Sequence, residues 1–145
     1  MKKIFVLLLL LIAVSCSIDN DTVDYTVEFL PVERVIVPES VTPGETYTFT
    51  LYYHKPTTCY YVGGTNNVNS LYYYPEENER TIAIQATVLQ AGSCQAIDAA
   101  AQEMLTFNFQ CPLQYDVTEY VFKFYKGEDA ASNTTFLEMT VPVVQ

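Results

Sequence analysis

The sequence predicts an all-β fold of about seven antiparallel strands behind a short apolar leader. Three observations carry this reading. Several stretches alternate apolar and polar side chains with period two, as strands with one buried face do. Turn-forming clusters interrupt those stretches at short intervals. Beyond the leader, no long helical pattern, repeat or low-complexity segment is present. Short strands joined by frequent turns close into either a sandwich or a small barrel.

Residues 25–37 carry Val, Phe and Ile interrupted by Pro31, which suits an edge strand in two pieces. Residues 41–45, with Pro43-Gly44, turn the chain into the clearest strand. There Tyr47, Phe49, Leu51 and Tyr53 alternate with Thr46, Thr48, Thr50 and Tyr52, giving one apolar face. Residues 55–58 turn it, and residues 59–62 start the next strand. A Gly- and Asn-rich loop over 63–70 leads to a strand-like stretch at 71–74 and an acidic turn at 75–79. Residues 80–90 alternate again, with Ile82, Ile84, Ala86 and Val88 on one side. Residues 91–102, rich in Ala and Gln, read as a loop or as one or two helical turns. Three further strands point Leu105, Phe107, Phe109 and Cys111, then Tyr120, Phe122 and Phe124, then Leu137, Met139, Val141 and Val143 inward, with a turn at 126–129.

Asp116-Val117-Thr118-Glu119-Tyr120 resembles the tyrosine corner of immunoglobulin-like domains, in which an Asp precedes the Tyr by four. The resemblance implies a sandwich rather than a barrel, with the Tyr120 hydroxyl bonded to a backbone group upstream. Pro43-Gly44-Glu45-Thr46-Tyr47 likewise resembles the turn into the second strand of bacterial immunoglobulin-like domains. Phe122 stands where antibody domains carry their second bridge cysteine, so that bridge is absent. In a sandwich, loops alternate between two ends, which places the cysteines. If residues 59–74 form one broken strand, Cys59 and Cys94 share an end and pair, leaving Cys111 as an inward free thiol. If residues 71–74 form a separate strand, Cys59 faces Cys111 instead. The first arrangement is preferred.

The leader explains why only three cysteines enter that count. Lys2 and Lys3 precede an apolar run from Ile4 to Val14, the layout of an export signal and too short for a spanning helix. Ala13-Val14-Ser15-Cys16 resembles the lipobox of bacterial lipoproteins, which implies cleavage after residue 15 and a lipid on Cys16. Residues 16–24 then form a polar, acidic tether ahead of a domain spanning 25–145. Acidic residues just after the lipidated cysteine resemble the surface-export signal of Bacteroidetes-type lipoproteins. Asp21-Thr22-Val23 resembles the O-glycosylation motif of the same group, with Thr22 as acceptor. The resemblance implies a lipoprotein anchored in the outer membrane and facing outward, with the membrane as its partner through Cys16.

Without the leader, five basic residues face 17 acidic ones, a net charge of −12. Such a chain repels phosphate backbones, so nucleic acid is a poor partner, and charge alone does not bring it to anionic lipid. The chemistry of catalysis is thin. His54 is the sole imidazole, no Gly-x-Ser-x-Gly elbow accompanies it, and its reading is a solvated or satisfied side chain. Cysteine and histidine spacing fits no zinc pattern. Glu76, Glu77 and Glu79, or Glu128 and Asp129, suit solvated acidic turns better than a Ca²⁺ site. No enzyme activity, metal or cofactor is therefore expected. What remains is tyrosine: Tyr60, Tyr61, Tyr72, Tyr73 and Tyr74 cluster mid-chain, and alternation turns some of them outward as a candidate platform for a protein or glycan. The expectation is a non-catalytic binding or structural module, with a carbohydrate-binding accessory of a glycan-uptake or adhesion system as the alternative.

Overall fold

The computed structural model describes residues 24–63, 70–90 and 92–145. The leader, Cys16, Thr22, the tether up to residue 23 and most of the Gly- and Asn-rich loop lie outside the described residues. Nine strands follow one another: β1 (Tyr25–Leu30), β2 (Val32–Ile36), β3 (Thr46–His54), β4 (Tyr60–Tyr61), β5 (Leu71–Glu76), β6 (Glu79–Leu89), β7 (Gln102–Gln110), β8 (Glu119–Glu128) and β9 (Thr134–Pro142). No helix forms among the described residues, so the Ala- and Gln-rich stretch is turns and bends.

The strands make two sheets that pack face to face. The smaller has the order β2-β3-β7, and β3 and β7 pair without interruption from Thr46↔Gln110 to His54↔Gln102. The larger has six strands gathered on β6. Ile84 pairs with both Leu30 and Leu71, which puts β1 and β5 on opposite edges of β6. Ile82 pairs with both Tyr73 and Phe124, so β8 shares the edge of β1. β4 and β5 are both antiparallel to β6, and Val88 pairs with Thr26 as well as Tyr60, so the two are collinear pieces of one interrupted strand. The expected broken strand is present, and with it the Cys59–Cys94 disulfide, with Cα atoms 5.4 Å apart. Cys111 is free and buried.

Two expectations need correction. Among the described residues nine strands form, against about seven expected, and they are not all antiparallel: β6 and β8 run parallel from Glu79↔Val121 to Ile82↔Phe124. A parallel neighbour requires a crossover, which β7 supplies by crossing to the other sheet before β8 returns. The turns are also tighter than expected. β5 continues through Pro75 and Glu76, leaving a two-residue turn at Glu77-Asn78, where Glu77 takes φ +47°. A proline is tolerated there because β5 pairs on one side only among the described residues. β8 likewise runs on to Glu128, into the expected turn at 126–129, and the connection to β9 falls at residues 129–133.

Pro31 does more than interrupt an edge. It lacks an N–H to continue a ladder, and the chain uses it to leave the larger sheet after β1 and join the smaller as β2. The core lies between the sheets, where the inward rows meet. Phe49 of β3 stands 4.7 Å from Phe122 of β8, ring centre to ring centre, and Phe109 of β7 meets Phe122 edge-on at 5.1 Å. Leu51, Ile82, Ile84, Phe124 and Val141 complete it, all buried.

Candidate functional site

The larger sheet turns its other face to solvent, and four aromatic side chains gather there. Alternation decides which. Inward Leu30 forces Phe29 outward, inward Phe124 forces Tyr125 outward, and inward Leu137 does the same for Phe136. Tyr72 pairs with Ala83, one residue off the inward row of β6. Phe29 stands 5.5 Å from Tyr72 and 5.7 Å from Tyr125, ring centre to ring centre, both tilted. These rings wall an open groove of about 450 Å³ with Phe136. Its floor is Thr81 and Ala83 of β6, and its rim is Glu128 and Thr134. Ala83 points outward yet is buried, because the surrounding rings cover a methyl too small to fill the space.

Two local devices shape the groove. The β8–β9 register shifts between Tyr125 and Gly127, a bulge that re-aims the end of β8. Gly127 adopts φ +109°, which a side chain rarely takes, and Thr135 Oγ1 donates to its carbonyl at 2.9 Å. Beyond Glu128, one Asp129 carboxylate oxygen accepts from the backbone N–H groups of Ala131 (2.8 Å) and Asn133 (2.9 Å). The Asn133 side chain adds contacts to both carboxylate oxygens. These bonds, those from Asn133 foremost, hold the Asp129 carboxyl below its ordinary pKa. The hairpin that carries Glu128 and Thr134 is thereby fixed at both ends.

Of the five tyrosines singled out from sequence, the structure brings only Tyr72 into the groove. Tyr74, opposite Thr81, and Tyr61, opposite Thr87, share its face but stand apart and exposed. Tyr60 and Tyr73 belong to inward positions at the sheet edge. Tyr60 donates to Glu28 at 2.8 Å, and that bond is the main reason its hydroxyl pKa is raised. Tyr73 lines a separate cleft with Leu71, Phe107 and Phe109. The tyrosine cluster is therefore split between two faces, because consecutive strand residues cannot point the same way. Phe29, Tyr125 and Phe136 were absent from the sequence-based platform. Their signal was an aromatic residue at an outward parity position, read within each strand.

The remaining predicted residues fall elsewhere. Tyr120 is buried at the start of β8, but its hydroxyl has no hydrogen-bond partner among the described residues. The upstream backbone bond of a tyrosine corner is not made. Instead the Tyr120 ring lies under the Arg80 guanidinium, 4.7 Å from Cζ to ring centre. Arg80 is 4% exposed and donates to the Glu77 and Glu79 carbonyls at 2.8 and 2.6 Å, which disperses a buried charge over backbone dipoles. Burial pushes the nearby Cys111 thiol up in pKa, with Arg80 pulling the other way, so it is protonated and unreactive at neutral pH. Asp116 is exposed in a cleft at that end of the sandwich, with Asn78, Thr118 and Glu119. His54 Nδ1 lies 3.2 Å from the Ala101 carbonyl, where its N–H tautomer donates. No group of three or more Cys, His, Asp or Glu side chains is arranged to hold a metal among the described residues.

Fold and site together define a class: an all-β sandwich of two sheets that presents an aromatic groove on one outer face. Comparison with protein-family models, curated proteins and solved structures finds no match.

Proposed function

We propose that this protein is an exported, lipid-anchored, non-catalytic binding module of the bacterial outer membrane, facing outward. Cys16 carries the lipid, the acidic tether spaces the domain from the bilayer, and the outer face of the larger sheet meets the ligand. The observation that carries the binding role is the aromatic groove. Aromatic side chains on a solvated sheet face are not needed to close the core, and contiguous exposed apolar surface marks interaction sites. A non-catalytic role is supported by the groove's lining, where Glu128 is the single carboxylate among the described residues; hydrolytic chemistry calls for a second carboxylate or a nucleophile beside a base.

The immunoglobulin-like reading of the sandwich rests on the order β2-β3-β7, which matches the A-B-E order of that fold, and on the β8–β9 hairpin in place of F and G. Its limit is β6, which runs parallel to β8 where that fold has an antiparallel neighbour. Two measurements test the functional proposal. Cys16→Ala should move the protein from the membrane fraction to the soluble one with the β-domain still folded; a variant that stays membrane-bound ends the anchored reading. A photo-crosslinking residue in place of Thr134 should capture the ligand in the groove, whereas one replacing Thr106, on the other sheet, should not. Equal capture at both sites ends the assignment of the groove.

A further inference from the structure

Resting on the reading of the groove as the binding surface, we propose that its ligand is a neutral glycan, with sugar rings seated over Phe29, Tyr72 and Tyr125 and their hydroxyls bonded to Glu128 and Thr134. Three properties of the groove select this class. The first is size: about 450 Å³ falls within the range of small-ligand sites, roughly 300–1,000 Å³, and a short stretch of sugars is of that scale. A stable protein partner instead covers about 800 Å² of its counterpart, on a broad patch with a dry centre.

The second is the mixture of surfaces. A sugar ring has an apolar C–H face and a perimeter of hydroxyls. The groove offers ring faces on its walls and, within the same cavity, a carboxylate acceptor in Glu128 and hydroxyls in Thr81 and Thr134. A purely apolar ligand would strand those polar groups without partners. The third is charge. With a net charge of −12 after loss of the leader, and Glu128 on the rim, the site repels sulfated or uronic-acid sugars and phosphorylated ligands. The same face carries Glu138 opposite Lys123, whose charge is already engaged by Glu79. Preorganisation strengthens the case, because the bulge at Tyr125 and the Asp129-capped hairpin hold wall and rim in place before the ligand arrives.

The test applies the purified full-length protein, in detergent, to an array of neutral oligosaccharides and their uronic-acid and sulfated counterparts. Retention on neutral glycans is expected. Tyr125→Ala or Phe29→Ala should weaken it about tenfold or more, as should Ala83→Leu, which fills the floor, while circular dichroism stays unchanged. Thr106→Ala, on the opposite sheet, should retain full binding. Preference for the anionic counterparts, or neutral binding indifferent to Tyr125→Ala and Ala83→Leu alike, overturns the proposal. A silent array with protein crosslinked at Thr134 overturns the glycan and leaves the groove as a binding surface. A silent array with no crosslink overturns both.

Discussion

On the three-stranded sheet, the outward row of β3 reads Thr46, Thr48, Thr50 and Tyr52, and β7 sets Gln110, Asn108, Thr106 and Met104 opposite them. On the six-stranded sheet, the outward positions hold Phe29, Tyr72, Tyr125 and Phe136. Both faces arise from the same alternation behind the same core, and both look at water. The Thr-rich face is what a solvated strand needs: branched side chains that favour extended backbone, with local bonds such as Thr48 Oγ1 to Asn108 Oδ1 at 2.9 Å. The aromatic face has more than folding asks of it. Phe29 and Tyr72 stay 43% and 40% exposed, so much of their apolar surface is not repaid by burial in the fold. Under the proposed binding role, the fold accounts for the Thr-rich face and a ligand for the rings clustered on the other.

The comparison presumes a shared core beneath both faces, and breaking that core should have the largest effect. Phe122 touches rings from both strands opposite it, so Phe122→Ala should cost about 3–5 kcal/mol and unravel both sheets together, read by chemical denaturation. Separate transitions for the two sheets would end the idea of one core. Next comes the bridge, which ties the β3–β4 connection to the β6–β7 connection, both running between the sheets. Cys59→Ala with Cys94→Ala should cost about 2–4 kcal/mol while leaving the smaller sheet's register intact, as amide hydrogen exchange along β3 and β7 would reveal.

The outer faces themselves should differ little in stability. Phe29→Ala removes two ring contacts and Thr48→Ala one hydrogen bond, each worth about 0.2–1 kcal/mol, so thermal melts should place them within about 1–2 kcal/mol of each other while only the first loses ligand. A large stability loss from Phe29→Ala would return the aromatic face to a structural role. Tyr120→Phe sharpens the inner side of the contrast. With no partner for its hydroxyl among the described residues, the change should fall within about 0.5 kcal/mol of neutral, whereas a functioning tyrosine corner would lose more.

The smallest effect concerns the groove's rim. The Asp129 carboxyl is held below its ordinary value of 3.8, so its contribution is complete at neutral pH and disappears as pH falls below that value through the lowered one. The Asn133 amide should lose its protection from exchange over that acidic window, before β3 loses any. Asp129→Asn should remove the pH dependence. If the protection factor of the Asn133 amide is no higher at pH 7 than in acid, the rim is not held by this carboxylate.

The sequence by itself determined which residues face inward. Phe49, Leu51, Ile82, Ile84, Phe109, Phe122 and Val141 all lie on the side that alternation assigned, because strand periodicity is a local property of the chain. It also located Pro31 as a break and Gly44 as a turn residue, again on local chemistry. Its preferred pairing of Cys59 with Cys94 is the one observed, since parity of strand direction follows from counting strands. Only the tertiary structure decided which strands are neighbours. The parallel run of β6 beside β8 and the Arg80 guanidinium over Tyr120 join residues about 40 apart, and the bulge after Tyr125 depends on how β8 pairs with β9, so no local pattern encodes them. The groove is the clearest case. Its walls come from residues 29, 72, 125 and 136, on four strands that become one surface only when the larger sheet assembles. A cluster in sequence suggested five consecutive or nearly consecutive tyrosines; the pleat sends neighbours to opposite faces, so a real surface cluster had to be built from residues far apart.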